Sequence, residues 1–245
     1  GGAFWEFGSP DWERTKLFMI FGVAEDHDSN PIKMGLSRLK ERQAKIIAVN
    51  PVRTGYNAIA DEWVPVTPGT DGLFVLSIIH ELMSAGKIDV DYLIRYTNAP
   101  WLVIHNPGGA DHGLFARDKD GKALVWRRKT GKPVAYDKAG IVPHMSGEIT
   151  LSSGKKAVPA FQLMMDKYLD SKYAPDAVAD KTGVPAEQIR QIAAQLARVA
   201  FEEEITINKS WTDWKGETHD RMIGRPVSFH AMRGISAHSN GFQTC

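Results

Sequence analysis

The sequence predicts an α/β fold: a mostly parallel sheet flanked by helices, Rossmann-like and suited to a dinucleotide, with a β-rich insertion. Three observations carry this. Short apolar runs (Thr15–Phe21, Lys45–Val49, Trp101–Ile104) alternate with helix-period segments. Polar loops follow the first two runs, as they do at the carboxyl ends of parallel strands. From Gly108 to about Leu151 the helical period disappears, and turn signals such as D-K-D-G-K and K-T-G-K-P separate short β-prone runs.

Thr15–Phe21 is the first strand and ends at Gly22. The polar loop GVAEDHDSNP then leads into a helix from Pro31 to about Gln43, with Asn30 as N-cap and proline at the first helical position. Ile32, Leu36 and Leu39 form its buried stripe. Lys45–Val49 is the second strand and stops at Asn50-Pro51, where proline cannot donate to a ladder. Trp63–Val66 is a further strand, Pro68-Gly69 a turn, and Thr70 or Asp71 the cap of a helix carrying Leu73, Leu76, Ile79, Leu82 and Met83. Asp89–Tyr96 is a short helix, and Trp101–Ile104 is expected to join the parallel sheet. Ala123–Trp126 and Pro133–Tyr136 are short β-prone runs of the insertion, which is expected to form a hairpin or small sheet. Helices follow at Val158–Tyr173, Pro175–Thr182 and Ala186–Ala200, then a strand at Glu204–Asn208. The expected organisation is a nucleotide-binding region over 1–107, the β-rich insertion over 108–156, and helices plus a strand over 157–245 leading into a second α/β region.

A composition of 43% hydrophobic and 24% charged residues is that of an ordinary globular protein. A net charge of +1 argues against a nucleic-acid surface driven by bulk charge. No run reaches the ~20 apolar residues of a membrane span. The single cysteine, Cys245, excludes an intrachain disulfide and any multi-cysteine zinc or iron–sulfur site within these residues. The chain opens without methionine and closes on SNGFQTC, so it reads as an internal segment of a larger subunit.

Gly22 stands alone, where an NAD-type fingerprint needs three glycines. Asn50 holds the strand-end position at which a ribose-binding carboxylate would sit, and its amide can both donate and accept. Glu25-Asp26-His27-Asp28 reads as a solvated loop, since hard cations take spaced oxygen ligands. Asp71 serves either as a first-turn carboxylate opposing the helix dipole or as an acceptor for two adjacent N–H groups of a base edge. Arg53 neutralises a phosphate or pairs with Asp61 or Glu62. His219 and His230 read as ordinary partnered polar residues, and Trp211 and Trp214 as cover for a core or an interface.

V-N-P-V-R-T, A-D-E-W and P-G-T-D-G occur in that order. They resemble V-D-P-R-x-T, A-D-x-W and P-G-T-D-x-A of the molybdopterin oxidoreductase family, the bis-molybdopterin guanine dinucleotide enzymes related to dimethyl sulfoxide reductase. T-G-V-P-A-E-Q-I-R-Q-I-A and the tail H-A-M-R-G-I-S-A-H-S-N-G are similar to further stretches of the family. The resemblance implies a molybdenum-bearing bis-molybdopterin guanine dinucleotide. Its implied contacts are Gly22, Ala24, Glu25 and Asp26 in the first loop, Asn50, Pro51 and Arg53 in the second, and Gly69, Thr70 and Asp71 in the third. Arg233, Gly234 and His238 follow in the tail. It favours guanine recognition by Asp71.

The chain departs from the pattern in three places: asparagine replaces aspartate at 50, the first loop lacks G-x-N-P, and the N-terminal cysteine cluster is absent. A [4Fe–4S] cluster is therefore expected in a preceding part of the larger protein. Cys245 lies downstream of V-N-P-V-R, on the wrong side to be the family's cysteine ligand to molybdenum. The wording G-V-A-E-D-H-D-S-N-P-I-K is most similar to the branch acting on inorganic sulfur compounds such as sulfite, polysulfide and tetrathionate. Implied partners are a small-molecule substrate, an electron-transfer subunit carrying iron–sulfur clusters, and a membrane anchor. The implied location is cytoplasmic or peripheral at the inner membrane, with the periplasmic side open. The rival reading is a nucleotide-binding or assembly module without redox chemistry.

Overall fold

The computed structural model of the chain describes residues 11–22, 32–53, 55–213, 216–231, 235 and 238–244. The chain forms two compact units: one from the segments up to Lys87 and from Ser171 onward, the other over Ile88–Asp170. The boundaries expected after residues 107 and 156 both fall inside the second unit.

In the first unit the chain runs through β1 (Leu17–Phe21), α1 (Ile32–Glu41), β2 (Lys45–Val49), α2 (Tyr56–Ile59), β3 (Glu62–Val64) and α3 (Asp71–Ser84). The second unit holds α4 (Val90–Tyr96), β4 (Leu102–His105), β5 (Leu124–Arg127), β6 (Lys132–Ala135), β7 (Ile149–Thr150), β8 (Lys156–Pro159) and α5 (Ala160–Tyr168). The return to the first unit adds α6 (Pro175–Thr182), α7 (Ala186–Glu202), β9 (Ile205–Ile207), β10 (Trp211–Thr212), β11 (Thr218–His219), β12 (Met222–Gly224), β13 (Val227–Ala231) and α8 (Gly241–Thr244).

The main sheet has the order β13-β1-β2-β3 and is parallel throughout. Leu17 pairs with Lys45 on one side and Val227 on the other. Alternation along the strands divides the core. Leu17, Met19, Phe21, Ile47 and Val49 pack with Phe74 and Ile78 of α3 and the apolar stripe of α7. Phe18, Ile20, Ile46 and Ala48 pack with Ile32, Leu36 and Leu39 of α1. Both faces are covered, so β1 is buried at every position and reads as a continuous apolar run. Phe18 and Phe74, fully enclosed, each contribute about 2–3 kcal/mol by leaving water.

Helix α1 ends in a Schellman turn: Ala44 N–H bonds Leu39 C=O, and Gln43 N–H bonds Lys40 C=O. Gln43 holds the left-handed position (φ 59°), which glycine usually fills, while buried Leu39 and Ala44 supply the apolar contact.

Two expectations are corrected. Trp101–Ile104 does not extend the parallel sheet: β4 pairs antiparallel with β8 in a separate sheet of order β4-β8-β7. Residues 156–159, expected in part as helix, are that partner strand, and helix begins at Ala160. The strand expected at Glu204–Asn208 is present as β9 and pairs antiparallel with β12. The hairpin is present as β5–β6, and Asp118 Oδ1 ties the D-K-D-G-K turn by accepting from the Asp120 and Lys122 amides. Among the described residues no helix is long and apolar enough to cross a membrane.

Gln43→Gly removes a side chain from a left-handed position that costs it about 1–2 kcal/mol, and returns about 0.5–1 kcal/mol as glycine chain entropy. A net gain of roughly 0.5–1 kcal/mol is expected in urea denaturation.

Candidate cofactor site

Because the four strands of the sheet are parallel, their carboxyl ends share one edge, and the loops following β1, β2, β3 and β13 leave from it. The chain steps from β1 to β2 and β3 on one side, while β13 lies on the other side of β1. Order therefore reverses at β1, the switch point outside which open α/β sheets bind ligands. The described sequence-predicted site residues fall in these four loops or, for Asp71, at the helix start that follows the third. Gly22, Asn50, Pro51, Arg53, Gly69, Thr70, Asp71 and His238 are described; Ala24, Glu25, Asp26, Arg233 and Gly234, and with them the 25–28 cluster, lie outside the described residues. So do the Asn30 cap and Pro31.

The loop after β2 is built by the A-D-E-W motif. Trp63 Nε1 donates to Asn50 C=O (2.8 Å), and Asn50 N–H bonds Val64 C=O across the ladder. Asn57, buried in α2, donates to Val52 C=O (3.1 Å). Arg53 lies over the Trp63 ring at 5.9 Å and is exposed. Its expected carboxylates are taken by lysines: Asp61 pairs with Lys40 (2.7 Å) and Glu62 with Lys45 (2.8 Å). With the main chain pinned, the Asn50 side chain is enclosed (5% exposed), yet among the described residues its Nδ2 has no hydrogen-bond partner. A buried donor left unpaired costs about 1–3 kcal/mol, so this amide is available to an acceptor that enters the loop.

The loop after β3 is a turn closed by Thr70 N–H to Thr67 C=O, with Pro68 and left-handed Gly69 (φ 82°) at its centre. Thr70 occupies the N-cap position, but its hydroxyl donates back to Thr67 C=O and does not cap. Asp71 is the first helical residue, not a cap. The first intrahelical bond is Phe74 N–H to Thr70 C=O, so the amides of residues 71–73 have no acceptor within the helix. Asp71 itself is buried (8% exposed) at this helix start.

Two distant segments hold this turn. Thr67 N–H bonds Thr182 C=O (2.7 Å), and a Cβ on left-handed Gly183 would meet Thr67 Oγ1 at 2.9 Å. The T-G-V-P stretch thus closes α6 and braces the P-G-T-D turn together. From the other side, Asn240 Nδ2 donates to Gly69 C=O (2.9 Å). The His238 ring lies beside Gly69, 3.7 Å from where a Cβ would be, and Thr244 approaches Gly72. Sequence reasoning missed Asn57, Trp63, Thr182, Gly183 and Asn240 as supporting residues, although all but Asn57 stand inside quoted motifs.

Elsewhere, Asp213, Glu217 and His219 bring donor atoms within 4.8 Å of one another. Asp213, its side chain fully enclosed, accepts from Glu217 N–H and lies 3.1 Å from His219 Nε2, while Trp211 stacks on His219. These contacts pin the β10–β11 hairpin.

Asp61 completes the supports. Its Oδ2 accepts from Ile46 N–H, and its other oxygen meets Lys40. Burial pushes its carboxyl up, but Lys40 and the Ile46 amide together hold it below the ordinary value. A lowered folded-state value means stability that is present above about pH 4 and lost as pH falls through the folded value. Asp61→Asn is expected to cost at most about 1 kcal/mol at pH 7, the pair being half exposed, with the difference closing below about pH 4. Asp61→Ala, which strands the Ile46 amide, costs about 1–3 kcal/mol. Urea denaturation across pH measures both. Separately, Asn240→Asp turns a donor into an acceptor facing Gly69 C=O. Hydrogen exchange over 66–74 is expected to rise up to about tenfold, an opening cost of about 0.5–1.5 kcal/mol; unchanged exchange would show that this bond holds nothing.

No family model matches the chain. Among curated proteins it is 46% identical, over its whole length, to the A subunit of sulfite dehydrogenase from Allochromatium vinosum, and covers 26% of that protein. It is 25% identical to the alpha subunit of perchlorate reductase from Dechloromonas aromatica, with 76% of this chain and 24% of that protein aligned. It is 28% identical to the putative catalytic subunit of a dimethyl sulfoxide reductase from Halobacterium salinarum, over 76% of this chain and 22% of that protein. The chain thus spans about a quarter of the relatives it matches. Among solved structures, acetylene hydratase from Pelobacter acetylenicus superposes with a TM-score of 0.52 at 15% identity, covering 96% of this chain and 20% of that one, a likeness of fold. With three motifs in order and similarity along its whole length to one such enzyme, the chain belongs to the molybdopterin oxidoreductase family.

Proposed function

We propose that this segment grips the guanine nucleotide end of a bis-molybdopterin guanine dinucleotide within the catalytic subunit of a molybdenum oxidoreductase. The observation that carries the reading is the buried Nδ2 of Asn50, without a partner among the described residues, on the edge that also presents Asp71 and the first amides of α3, which have no acceptor within the helix. Asn50 donates to a ribose hydroxyl or base acceptor. Asp71 accepts the N1–H and N2–H₂ pair of guanine, which adenine does not offer on that edge. The α3 amides and exposed Arg53 face phosphate charge. When bound, the molybdenum centre supplies the redox chemistry, and these residues supply position. Gly22, Ala24, Glu25, Asp26, Pro51, Arg233, Gly234 and His238 complete the proposed grip.

Similarity to a sulfite dehydrogenase supports an inorganic sulfur compound as substrate. The proposed whole enzyme further carries a [4Fe–4S] cluster outside this segment and passes electrons to an iron–sulfur subunit, while a membrane anchor holds the assembly at the inner membrane.

Asp71→Asn in the full-length protein tests the grip. It preserves size at a helix start but sets a donor against guanine, at a cost of roughly 1–3 kcal/mol. Molybdenum and guanine nucleotide per mole of protein should fall by about tenfold or more with unchanged circular dichroism; full occupancy would reduce Asp71 to a first-turn carboxylate. Asn50→Leu separates binding from folding: the cofactor-free form should melt at the same temperature or higher, because an unpaired amide is removed, while cofactor content falls. Guanine nucleotide without molybdenum in the parent protein would favour the module without redox chemistry.

A further inference from the structure

The opposite edge of the parallel sheet carries a second concave site. A groove of about 470 Å³ lies where β1 and β2 begin, walled by the Schellman turn of α1 and the last turns of α7. Its charged lining is Lys16, Arg42, Lys45, Arg198 and Glu203. Four cations face one lining carboxylate, and Glu62 just outside pairs with Lys45, leaving an excess of two positive charges where the entire chain nets only +1. Five-residue strands separate this edge from the carboxyl ends by about 16 Å, so the two sites are distinct.

The cations are held in place without being used up. Glu203 takes Lys16 (2.9 Å) and Arg198, and these two cations hold its carboxyl below the usual range, Lys16 foremost. Lys45 reaches Glu62, outside the lining, and Gln195. Arg42 donates to Trp12 C=O (2.7 Å), a neutral acceptor. An ammonium has three donors and a guanidinium five, so most of the N–H groups here remain available.

We propose that this groove binds a tetrahedral dianion of the sulfate or phosphate class. Two guanidinium forks offer paired donors to two oxygens of one centre, and two ammonium groups add point charge, a donor set that suits a compact dianion. The volume exceeds that of a bare ion, so the oxyanion arrives either free or as the head of a larger phosphate monoester.

The test is calorimetric titration of the purified full-length protein with sulfate, inorganic phosphate and a phosphate monoester such as glycerol phosphate, against chloride at matched ionic strength. Saturable binding of the dianions is expected, weakened at least tenfold in Arg42→Gln/Arg198→Gln and about as much in Lys16→Met/Lys45→Met. Molybdenum content should stay at the parent level in both variants, which separates this site from the nucleotide grip. A monoester that binds more tightly than inorganic phosphate identifies the larger source, and equal affinities identify the free ion. Heat no greater than the chloride control, or equal affinity in parent and both variants, overturns the proposal.

Discussion

Everything at the carboxyl edge of the sheet depends on the parallel pairing of β1 between β2 and β13. Parallel ladders set all carboxyl ends on one side, and here that registers Phe21 beside Val49 and Ala231. The ladder survives because both faces of β1 are dry: one is sealed by α1, the other by α3, α6 and α7. A polar residue at Met19 or Ile20 would disturb a helix layer and, through it, the loop that the layer supports.

The motifs divide their labour between holding and presenting. In A-D-E-W, Asp61 satisfies the Ile46 amide and Trp63 fixes the Asn50 carbonyl, leaving Asn50 with a pinned backbone and an unspent side chain. In P-G-T-D, Thr70 spends its hydroxyl within the turn, so the amides that open α3 stay uncapped. Thr182 and Asn240 fasten that turn from two distant parts of the chain. Such a site is preorganised: its supporting bonds exist before any ligand supplies its own.

Much of this was legible in the residues, for identifiable reasons. β1 and β2 are apolar at nearly every position, because a doubly covered parallel strand has no wet face to reveal. The same property misled at Trp101–Ile104, since an apolar run does not state whether its partner runs parallel or antiparallel. Its partner, Lys156–Pro159, opens directly into α5 and so carries helical period almost from its start. β13 escaped notice because it is an edge strand, with Phe229 more than half exposed and no continuous apolar run. The edge loops were marked by proline, glycine and asparagine after strands, but the orphaned amide of Asn50 and the clamp from Asn240 exist only in three dimensions.

The seat of β13 has a consequence for biogenesis. Leu17 meets Val227 across the ladder, about 210 residues further along the chain. At roughly 5–20 residues per second on a ribosome, one flank of the central strand waits about 10–40 s for its neighbour. Meanwhile the intervening Ile88–Asp170 unit emerges with apolar clusters of its own. During that interval β1 offers an open hydrogen-bonding edge, the kind of surface that invites mispairing with another nascent chain. The closing strand is also the one whose end completes the carboxyl edge of the sheet. Covering the open flank of β1 and completing the carboxyl edge of the sheet are thereby tied to the same late event.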